Sequence, residues 1–346
     1  MEEDDGTEPM DPAEAMLQRG AVLRKLRELE REDEAARAAP SSPNDGDDNN
    51  VNHETDDTDV EEEPIVLACG AKVLSYDSYL RHQRYYDDLK HVDCRFIDYG
   101  KVGPGRLIVE QDKSLGKGGW CWDAAFVLGE YMIQNASHWK MHCDDDDHSK
   151  STSTSTSVLE LGTGTGLCGA MVAKAVPGVH VSLTDLPALM PFLQRNVARN
   201  FAIESILTQT GDPIEPDADN DDGILSEYAG GESDDDAKRS HSRVSAFPLA
   251  WGASDFSTLG TFDVVMGADV VSSLYDPVAL AQTIWSLANS RSMIYVSFKE
   301  RLSSVHRVFE EELQSLFAHV EIVKPSTSRN RNPDIRILIA RGKKKL

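Results

Sequence analysis

A short glycine-rich run, Glu160–Gly166, constrains the fold of this chain more than any other feature. Its sequence is ELGTGTG; it follows two apolar residues and leads into the helix-like stretch Leu167–Ala175. The acidic residue Asp185 then ends a second strand-like stretch, Val179–Thr184. Strand, glycine turn, helix, strand and acid in this order are typical of a nucleotide-binding βαβ unit.

The chemistry of the run indicates which nucleotide it binds. Gly162, Gly164 and Gly166 let the backbone lie close to a ligand, because a Cβ there would clash or would disfavour a positive φ. The spacing GxGxG differs from the GxGxxG of dinucleotide sites, and Glu160 before it would repel a pyrophosphate. S-adenosyl-L-methionine (SAM) carries an amine and a sulfonium and no phosphate, so the loop favours SAM. Asp185 could accept hydrogen bonds from a ribose diol, whereas a tight turn without any ligand is the alternative.

The net charge of −24 is concentrated in three segments. Residues 1–63, 144–150 and 212–236 together hold 37 of the 59 acidic and 7 of the 35 basic residues, so the rest of the chain is near +6. Such segments cannot bury enough apolar surface to fold, and we expect solvated tails and loops. Contact with a basic partner is the alternative. Acidic runs near a cleft would repel phosphates, which argues against a nucleic-acid substrate.

Composition also bounds the compartment and the cofactors. No apolar run approaches the length that spans a bilayer, and the acidic N-terminus lacks the features of a signal peptide. The five cysteines show no CxxC pairing, which is typical of a reduced intracellular protein. The ten histidines show no ligand spacing, so we expect no metal. We expect a cytoplasmic protein, with nuclear import through the basic residues Lys343–Lys345 as a further option.

The chain is predicted to consist of an acidic tail and one folded domain. Residues 1–63 form the disordered tail, in which the Ala-, Leu-, Arg- and Glu-rich stretch 12–38 is predicted to be an exposed helix. Residues 64–346 form the domain, which begins with a cap of short strands over 64–117. Two acidic insertions interrupt the domain, near 138–157 and 208–243.

The core of the domain alternates strands with helices. The predicted elements are strand 158–161, helix 167–175, strand 179–184, helix 186–200, strands 244–249 and 262–267, helix 277–288, strand 292–297, helix 303–317 and strands 320–324 and 335–340. This alternation predicts an α/β fold, a mainly parallel sheet with helices on both faces. The loop between the last two strands is too short for a parallel crossover, so that pair should be antiparallel. The result is the seven-stranded, Rossmann-like arrangement of SAM methyltransferases.

Five spaced motifs resemble, in this order, those of the methyltransferase-like 21 group of seven-β-strand protein lysine methyltransferases. They are WDAA at 122–125, ELGTGTG at 160–166, TD at 184–185, LAWG at 249–252 and GADVV at 267–271. The resemblance covers roughly residues 100–340, and several motifs in a fixed order are far more specific than one glycine run. It implies SAM as the cofactor and a protein as the methyl acceptor.

The resemblance also implies a set of cofactor-binding residues. With Glu160 and Gly166 from the loop itself, they are Trp122, Gly162, Thr163, Gly164, Asp185, Trp251 and Ala268. The Trp251 ring could pack on the adenine, because an aromatic face stabilises a flat ring. The Trp122 ring could face the sulfonium, because aromatic rings attract cations. Ordinary core packing is the alternative for both tryptophans.

The catalytic candidates follow the fourth core strand. Asp269 is expected to orient the acceptor amine, because ligands meet parallel sheets at the carboxyl ends of their strands. A lysine amine must be neutral to attack and has an ordinary pKa of about 10.4, so an apolar channel that lowers this pKa is also expected. Where the family has Asp-x-x-Tyr, this chain has Ser272 in place of the tyrosine, and Tyr275 is the candidate aromatic wall. Glu300 is a second candidate acid.

Together these features predict a monomeric SAM-dependent methyltransferase that modifies a lysine of a non-histone protein. Chaperones and translation factors are the substrate classes suggested by family analogy, although the fold alone does not fix the acceptor. A small-molecule or arginine methyltransferase is one alternative. A SAM-binding scaffold without activity is another, because Ser272 replaces the family tyrosine. We expect no nucleic-acid or membrane partner.

Overall fold

The computed structural model describes residues 65–66, 71–83, 88–143, 155–201, 206–207, 243–253, 256–300, 303–326 and 329–345. The predicted acidic tail, 1–63, and its helix over 12–38 lie outside these residues. The acid-rich parts of the two predicted insertions, 144–154 and 208–242, also lie outside them. No helix among the described residues is long and apolar enough to cross a membrane.

A small sheet precedes the main one in the chain and is called the cap below. Its strands are β1 (Ile65–Val66), β2 (Lys72–Ser75), β3 (Phe96–Val102) and β4 (Gly105–Glu110), with helix α1 (Tyr76–Arg81) after β2. The strands lie in chain order, and β2 pairs parallel with β3 whereas the other two pairs are antiparallel. The cap therefore occupies the part of the chain for which short strands were predicted.

Among the described residues, the main sheet contains eight strands. They are β5 (Thr156–Leu161), β6 (Val179–Asp185), β7 (Ile206–Leu207), β8 (Arg243–Pro248), β9 (Phe262–Ala268), β10 (Ala288–Lys299), β11 (Phe317–Val323) and β12 (Ile335–Lys343). Their order is β11-β12-β10-β9-β5-β6-β8-β7. β12 pairs antiparallel with β10 and β11, and the other pairs are parallel. Apart from the two-residue edge strand β7, this confirms the predicted seven-stranded sheet and its antiparallel C-terminal hairpin.

Six further helices follow the cap in the described part of the chain. They are α2 (Asp123–Gln134), α3 (Ala136–Cys143), α4 (Leu167–Ala175), α5 (Met190–Asn200), α6 (Pro277–Leu287) and α7 (Ser303–Leu316). The start of helix α6 is set by the residues that precede and begin it. The Asp276 carboxylate accepts hydrogen bonds from the backbone N–H groups of Val278 and Ala279, and Pro277 occupies the first helical position. An acidic cap followed by proline is a strong signal for a helix start.

Both faces of the main sheet are buried. In β5, Leu159 and Leu161 belong to the apolar cluster that also contains residues of α6 and α7, whereas Val158 belongs to the cluster on the other face. That second cluster contains residues of α2, α4 and α5. Each fully buried side chain of this kind stabilises the fold by about 1.5–3 kcal/mol relative to an exposed one. The strands read as continuous apolar runs because helices cover both faces.

A buried carboxylate joins the cap to α2. The Tyr76 and Tyr79 hydroxyls of α1 donate hydrogen bonds to the Asp123 carboxylate at 2.9 and 2.7 Å, and Asn330 Nδ2 donates to the Tyr76 hydroxyl at 2.7 Å. Burial raises the pKa of Asp123 to about 6, against the lowering effect of the two tyrosine bonds. The network fixes the cap beside the start of α2, where Trp122 lies.

Two strands begin three or four residues earlier than predicted. β10 starts at Ala288 instead of residue 292, directly after α6, with an irregular register between Ala288 and Met293. β11 starts at Phe317 instead of residue 320, directly after α7. Both extensions depend on pairing with a neighbouring strand, which periodicity within one segment does not report.

Candidate functional site

The carboxyl ends of β5, β6, β8 and β9 meet around one cavity of about 700 Å³. It lies between β5 and β9, where the strand order switches, because β6 and β8 follow on one side of β5, and β9 and β10 on the other. Parallel sheets bind their ligands at such a switch point. The volume is within the range of roughly 300–1,000 Å³ that is typical of small-molecule sites. Ten of the eleven predicted residues line it: Trp122, Glu160, Gly162, Thr163, Gly164, Asp185, Trp251, Ala268, Asp269 and Tyr275.

The loop after β5 can take its shape only with glycine. Gly162 and Gly164 have φ values of 62° and 55°. A Cβ on Gly162 would lie 2.9 Å from the side chains of both Trp251 and Val270. A Cβ on Gly164 would lie 2.8 Å from the carbonyl oxygen of Gly118. The glycines thus permit both the turn and the close approach of neighbouring walls.

Gly166 has a different position from the other predicted residues. It is not among the residues that line the cavity. Its φ is 82°, it precedes α4, and a Cβ would lie 2.9 Å from the Leu193 side chain. Its position therefore indicates a role in turning the chain into α4, and its contact with the cofactor stays a prediction. Sequence spacing could not separate these roles, because both require a positive φ.

Asp185 ends β6 with its carboxylate held by the backbone. Gly164 N donates to Oδ2 at 2.8 Å, and Leu186 N donates to Oδ1 at 2.7 Å. Burial raises the pKa of Asp185, and these two hydrogen bonds act in the opposite direction. A carboxylate has about four acceptor positions, so two remain for a ligand diol. The glycine loop and the predicted ribose-binding acid are thus fixed to each other.

Glu160 is a buried carboxylate with 1% of its surface exposed. Its Oε2 accepts hydrogen bonds from Thr163 Oγ1 at 2.7 Å and from Gly169 N at 2.8 Å. Burial raises the pKa of Glu160 to about 7, these bonds lower it, and the Asp185 charge raises it further. A positively charged ligand in the cavity would favour the ionised form. Glu160 therefore both holds the loop and suits a cation.

Aromatic rings contribute two parts of the cavity wall. The rings of Trp251 and Tyr275 meet edge to face with centroids 5.3 Å apart. The rings of Trp120 and Trp122 lie 5.5 Å apart, and Trp122 Nε1 donates to the Lys117 carbonyl at 3.0 Å. Both predicted tryptophans line the cavity, so neither is solely a core residue.

Tyr275 reaches the cavity from the loop that follows Asp269. Its backbone N–H donates to the Ser272 carbonyl at 3.1 Å, and this turn brings the ring back against Trp251. Burial raises the pKa of the Tyr275 hydroxyl, and the charges of Asp185 and Asp269 add to the effect. An aromatic side chain is therefore present in the cavity although Ser272 occupies the family tyrosine position.

Asp269 has an unusual backbone. Among the described residues, it is the non-glycine residue with a positive φ, 54°. Its N–H donates to the Ser297 carbonyl at 2.8 Å, and its Oδ1 accepts from Lys299 N at 3.3 Å. A left-handed conformation costs an L-residue roughly 1–2 kcal/mol, and such strain concentrates at functional sites.

Glu300, the second candidate acid, does not line the cavity. Its carboxylate forms an ion pair with Arg336 at 3.2 Å, and its N–H donates to the Asp334 carbonyl. Glu300 is half-exposed or more and binds β12 at the surface, which is why it cannot serve as the acid at the cleft.

The cavity also contains residues that the sequence did not single out. They are Leu115, Lys117, Trp120, Leu186, Leu274 and Asp276, among others. Trp120 lies two residues before the WDAA motif, so its proximity to a recognised motif was an available signal. The others come from loops, whose positions depend on tertiary contacts. Among the described residues, no group of three or more His, Cys, Asp or Glu side chains is arranged to hold a metal.

Comparison with known proteins identifies the enzyme class. A family model described as lysine methyltransferase matches residues 103–212. The protein N-lysine methyltransferase METTL21A of Xenopus tropicalis is 26% identical over 203 residues, which are 58% of this chain and 70% of that protein. This chain is a SAM-dependent methyltransferase. Both matches support the resemblance to the methyltransferase-like 21 group that the motifs indicated.

Solved structures similar to this methyltransferase are more distant. A TehB-like SAM-dependent methyltransferase from Corynebacterium glutamicum has a TM-score of 0.36 at 14% identity, over 62% of this chain and 88% of that one. A T. thermophilus 16S rRNA methyltransferase bound to AdoMet and guanosine has a TM-score of 0.38 at 13% identity, over 72% and 46%. Scores this low do not bear on substrate or mechanism.

The cavity of the methyltransferase fits its cofactor, SAM. Asp185 offers acceptor positions for a ribose diol, and the glycine loop leaves the cavity open where side chains would fill it. Trp251 presents an aromatic surface, and the buried carboxylate of Glu160 suits the positive charge of a sulfonium or amine. The binding roles of these individual residues remain predictions.

Proposed function

We propose that this methyltransferase modifies the side-chain amine of a lysine in another protein, outside the histones. The observation that carries the proposal is Asp269, a carboxylate in a strained conformation at the end of β9 that lines the same cavity as Tyr275. The family description and the printed name of the Xenopus relative support lysine as the acceptor. Chaperones and translation factors remain the expected classes of substrate protein, by analogy.

Within the cavity, each residue has a physical task. SAM supplies an electrophilic methyl carbon. Asp185 holds the ribose end of the cofactor. Glu160 stabilises the positive charge of the cofactor's sulfonium or amine. The Asp269 carboxylate accepts a hydrogen bond from the acceptor amine. This bond directs the lone pair of the amine nitrogen toward the methyl carbon, so that the bound amine is aligned for attack. The acidic residues attract the lysine as a cation, whereas the apolar and aromatic walls disfavour the ammonium form, so that the amine releases its proton to solvent water before it attacks.

Charge favours a cationic acceptor over an anionic small molecule. The side chains of Glu160, Asp185, Asp269 and Asp276 line the cavity, against one basic residue, Lys117. Arginine would satisfy the same charge, so it remains the alternative within this class. The presence of Tyr275 in the cavity weakens the sequence-based reason for an inactive scaffold, which was the serine at position 272.

A labelling experiment tests the proposal. Purified protein would be incubated with tritiated SAM and a lysate, with Asp269→Ala as the control, and labelled bands would be mapped by mass spectrometry. We expect a discrete band that the variant does not label and that carries methyllysine. Label on arginine or only in the small-molecule fraction would contradict the lysine assignment. SAM binding by calorimetry without any label would indicate a scaffold.

A further inference from the structure

Exposed apolar side chains gather around the mouth of the cavity. Among the described residues, six large hydrophobic side chains are exposed, and four of them line this cavity. The four are Leu115 (37% exposed), Leu186 (52%), Leu274 (59%) and Tyr275 (37%). They come from three separate segments of the chain. Apolar surface concentrated around an opening marks a site of interaction, whereas single exposed leucines need no explanation.

The exposed leucines lie at different parts of the cavity mouth. Leu186 follows Asp185 and donates its N–H to that carboxylate, so it lies at the predicted ribose end. Leu274 lies in the loop that begins at Asp269, where its N–H donates to Ser272 Oγ at 3.3 Å. Leu115 belongs to the short 3₁₀ segment Lys113–Gly119, between the cap and α2. Leu274 and Leu115 are called the apolar rim below.

We propose that the apolar rim binds apolar side chains that flank the acceptor lysine in the substrate protein. The inference rests on the proposed function and names its substrate class: a lysine with an aliphatic residue within about two positions, in an accessible segment of a protein. A macromolecule can reach Asp269 only by inserting one side chain, so its adjacent residues must lie on the rim. A small-molecule acceptor would enter the cavity without covering Leu274.

The charge of the site agrees with this substrate class. Inside the rim, four carboxylates and one lysine face the cavity, which suits a cationic side chain. On the rim itself, Leu274 is 59% exposed and would lose this contact with water when an aliphatic partner covers it. The inside of the cavity thus suits a cation, and the rim suits an apolar contact. A lysine between aliphatic residues matches both.

The test uses the full chain and two peptides of equal length and net charge. One peptide has lysine flanked by leucines, and the other has the same lysine flanked by serines. Leu274→Ser and Leu115→Ser probe the rim. Met141→Ser is the matched control, since Met141 is 75% exposed on α3 and does not line the cavity. Each variant is measured for peptide kcat and KM, for SAM affinity by calorimetry, and for thermal unfolding.

We expect the leucine-flanked peptide to have a kcat/KM about tenfold higher, which is the effect of burying roughly half a leucine. Each rim variant should remove several-fold of this preference through KM, with unchanged SAM affinity and Tm. Met141→Ser should retain the preference. Methyllysines mapped in lysate proteins should have aliphatic neighbours more often than unmodified lysines in the same proteins.

Three results would overturn the inference, and they differ from a failure of the proposed function. Equal kcat/KM on the two peptides would remove the role of flanking residues. Weaker SAM binding in Leu274→Ser would assign the rim to the cofactor. A change of oligomeric state in the rim variants would assign it to contact between copies of the chain. If no lysine in peptides or lysate is labelled although SAM binds, the proposed function fails first and the inference fails with it.

Discussion

At the scale of single residues, the cavity depends on a missing Cβ and on carboxylates held by hydrogen bonds. Gly162 leaves room for Trp251 and Val270, each of which would lie 2.9 Å from an added Cβ. The glycine-rich loop donates to both carboxylates, from the Thr163 hydroxyl to Glu160 and from Gly164 N to Asp185. The loop geometry and the electrostatics of the site are therefore coupled, and changes at one residue should affect ligand binding in predictable ways.

Gly162→Ala should abolish SAM binding, whereas Gly100→Ala should not. Both glycines have a similar positive φ, 62° and 70°, so both substitutions carry the same strain of about 1–2 kcal/mol. Only the Gly162 Cβ meets other atoms, since nothing lies within 4 Å of a Cβ on Gly100. Calorimetric titration with SAM and thermal unfolding would separate the two effects. Equal SAM affinity in the two variants would contradict the assigned position of the cofactor.

The affinity for SAM should rise with pH through the titration of Glu160. The pKa of Glu160 is about 7 without ligand, because burial disfavours the charged form, and a cationic ligand favours it. Binding should therefore tighten from about pH 5.5 to about pH 7, by at most about tenfold per pH unit, below the range in which an α-amino group titrates. Glu160→Gln should flatten this dependence, and an unchanged slope in the variant would refute the coupling.

The raised pKa of Glu160 affects the stability of the protein in the direction opposite to its effect on SAM affinity. Because the pKa of Glu160 is raised from 4.5 to about 7 on folding, the native state holds more protons than the unfolded state between these values. The contribution of Glu160 to the free energy of unfolding thus falls as the pH rises through this window. Glu160→Gln should lose this decline, which urea unfolding at several pH values would measure. A steeper decline in the variant would contradict it.

The charge and the backbone of Asp269 can be tested separately. Asparagine enters the left-handed region readily, so Asp269→Asn should keep the Tm and lower kcat/KM by about 100-fold. Asp269→Ala should lower activity equally and also cost about 1 kcal/mol of stability, because alanine disfavours a φ of 54°. Steady-state kinetics and thermal unfolding would check both. Full activity in Asp269→Asn would exclude the carboxylate as the group that aligns the amine.

At the scale of elements, the site depends on the contact between the cap and α2. α1 carries the two tyrosines that donate to Asp123, one residue after Trp122 in the cavity wall. Arg329, before β12, adds a bond to the Tyr99 carbonyl and an ion pair with Asp77 at 2.5 Å. Three separate parts of the chain thus position one end of the cavity.

Tyr76→Phe should destabilise the protein more than Tyr79→Phe. The Tyr76 hydroxyl donates to Asp123 and accepts from the buried Asn330, whereas the second partner of the Tyr79 hydroxyl is Gln83, which is only partly buried and can turn to water. Leaving buried polar partners without a bond costs about 1–3 kcal/mol. Urea unfolding of both variants would give the order, with removal of the exposed Lys72–Asp93 pair as a reference that should change stability least. Equal losses in the two variants would argue against the bridge through Tyr76.

At the scale of the whole molecule, the described wall of the cavity comes from one stretch of the chain. Every described residue that lines it lies between Leu115 and Ala279. The acid-rich segments 1–63, 144–150 and 212–236, which hold most of the acidic residues, lie outside the residues that the structure describes. A domain that starts near residue 64 stays a prediction, which a shortened chain tests.

A chain that begins at residue 64 should bind SAM as tightly as the full chain. The cap and the main sheet lie after this position, and so does every residue of the cavity wall that the structure describes. Calorimetry and thermal unfolding of both chains would test this division. A weaker affinity or a lower Tm in the shorter chain would show that the N-terminal segment packs on the domain.

The sequence by itself determined the order of strands and helices, the antiparallel end of the sheet and the GxGxG loop with Asp185. These features depend on local periodicity and on the restricted φ of glycine, which each segment carries alone. Tertiary structure decided that Tyr275 reaches the cavity, that Gly166 and Glu300 lie outside it, and that leucines from separate loops surround its mouth. Loop positions and side-chain contacts between distant segments come from packing, which no single segment of the sequence encodes.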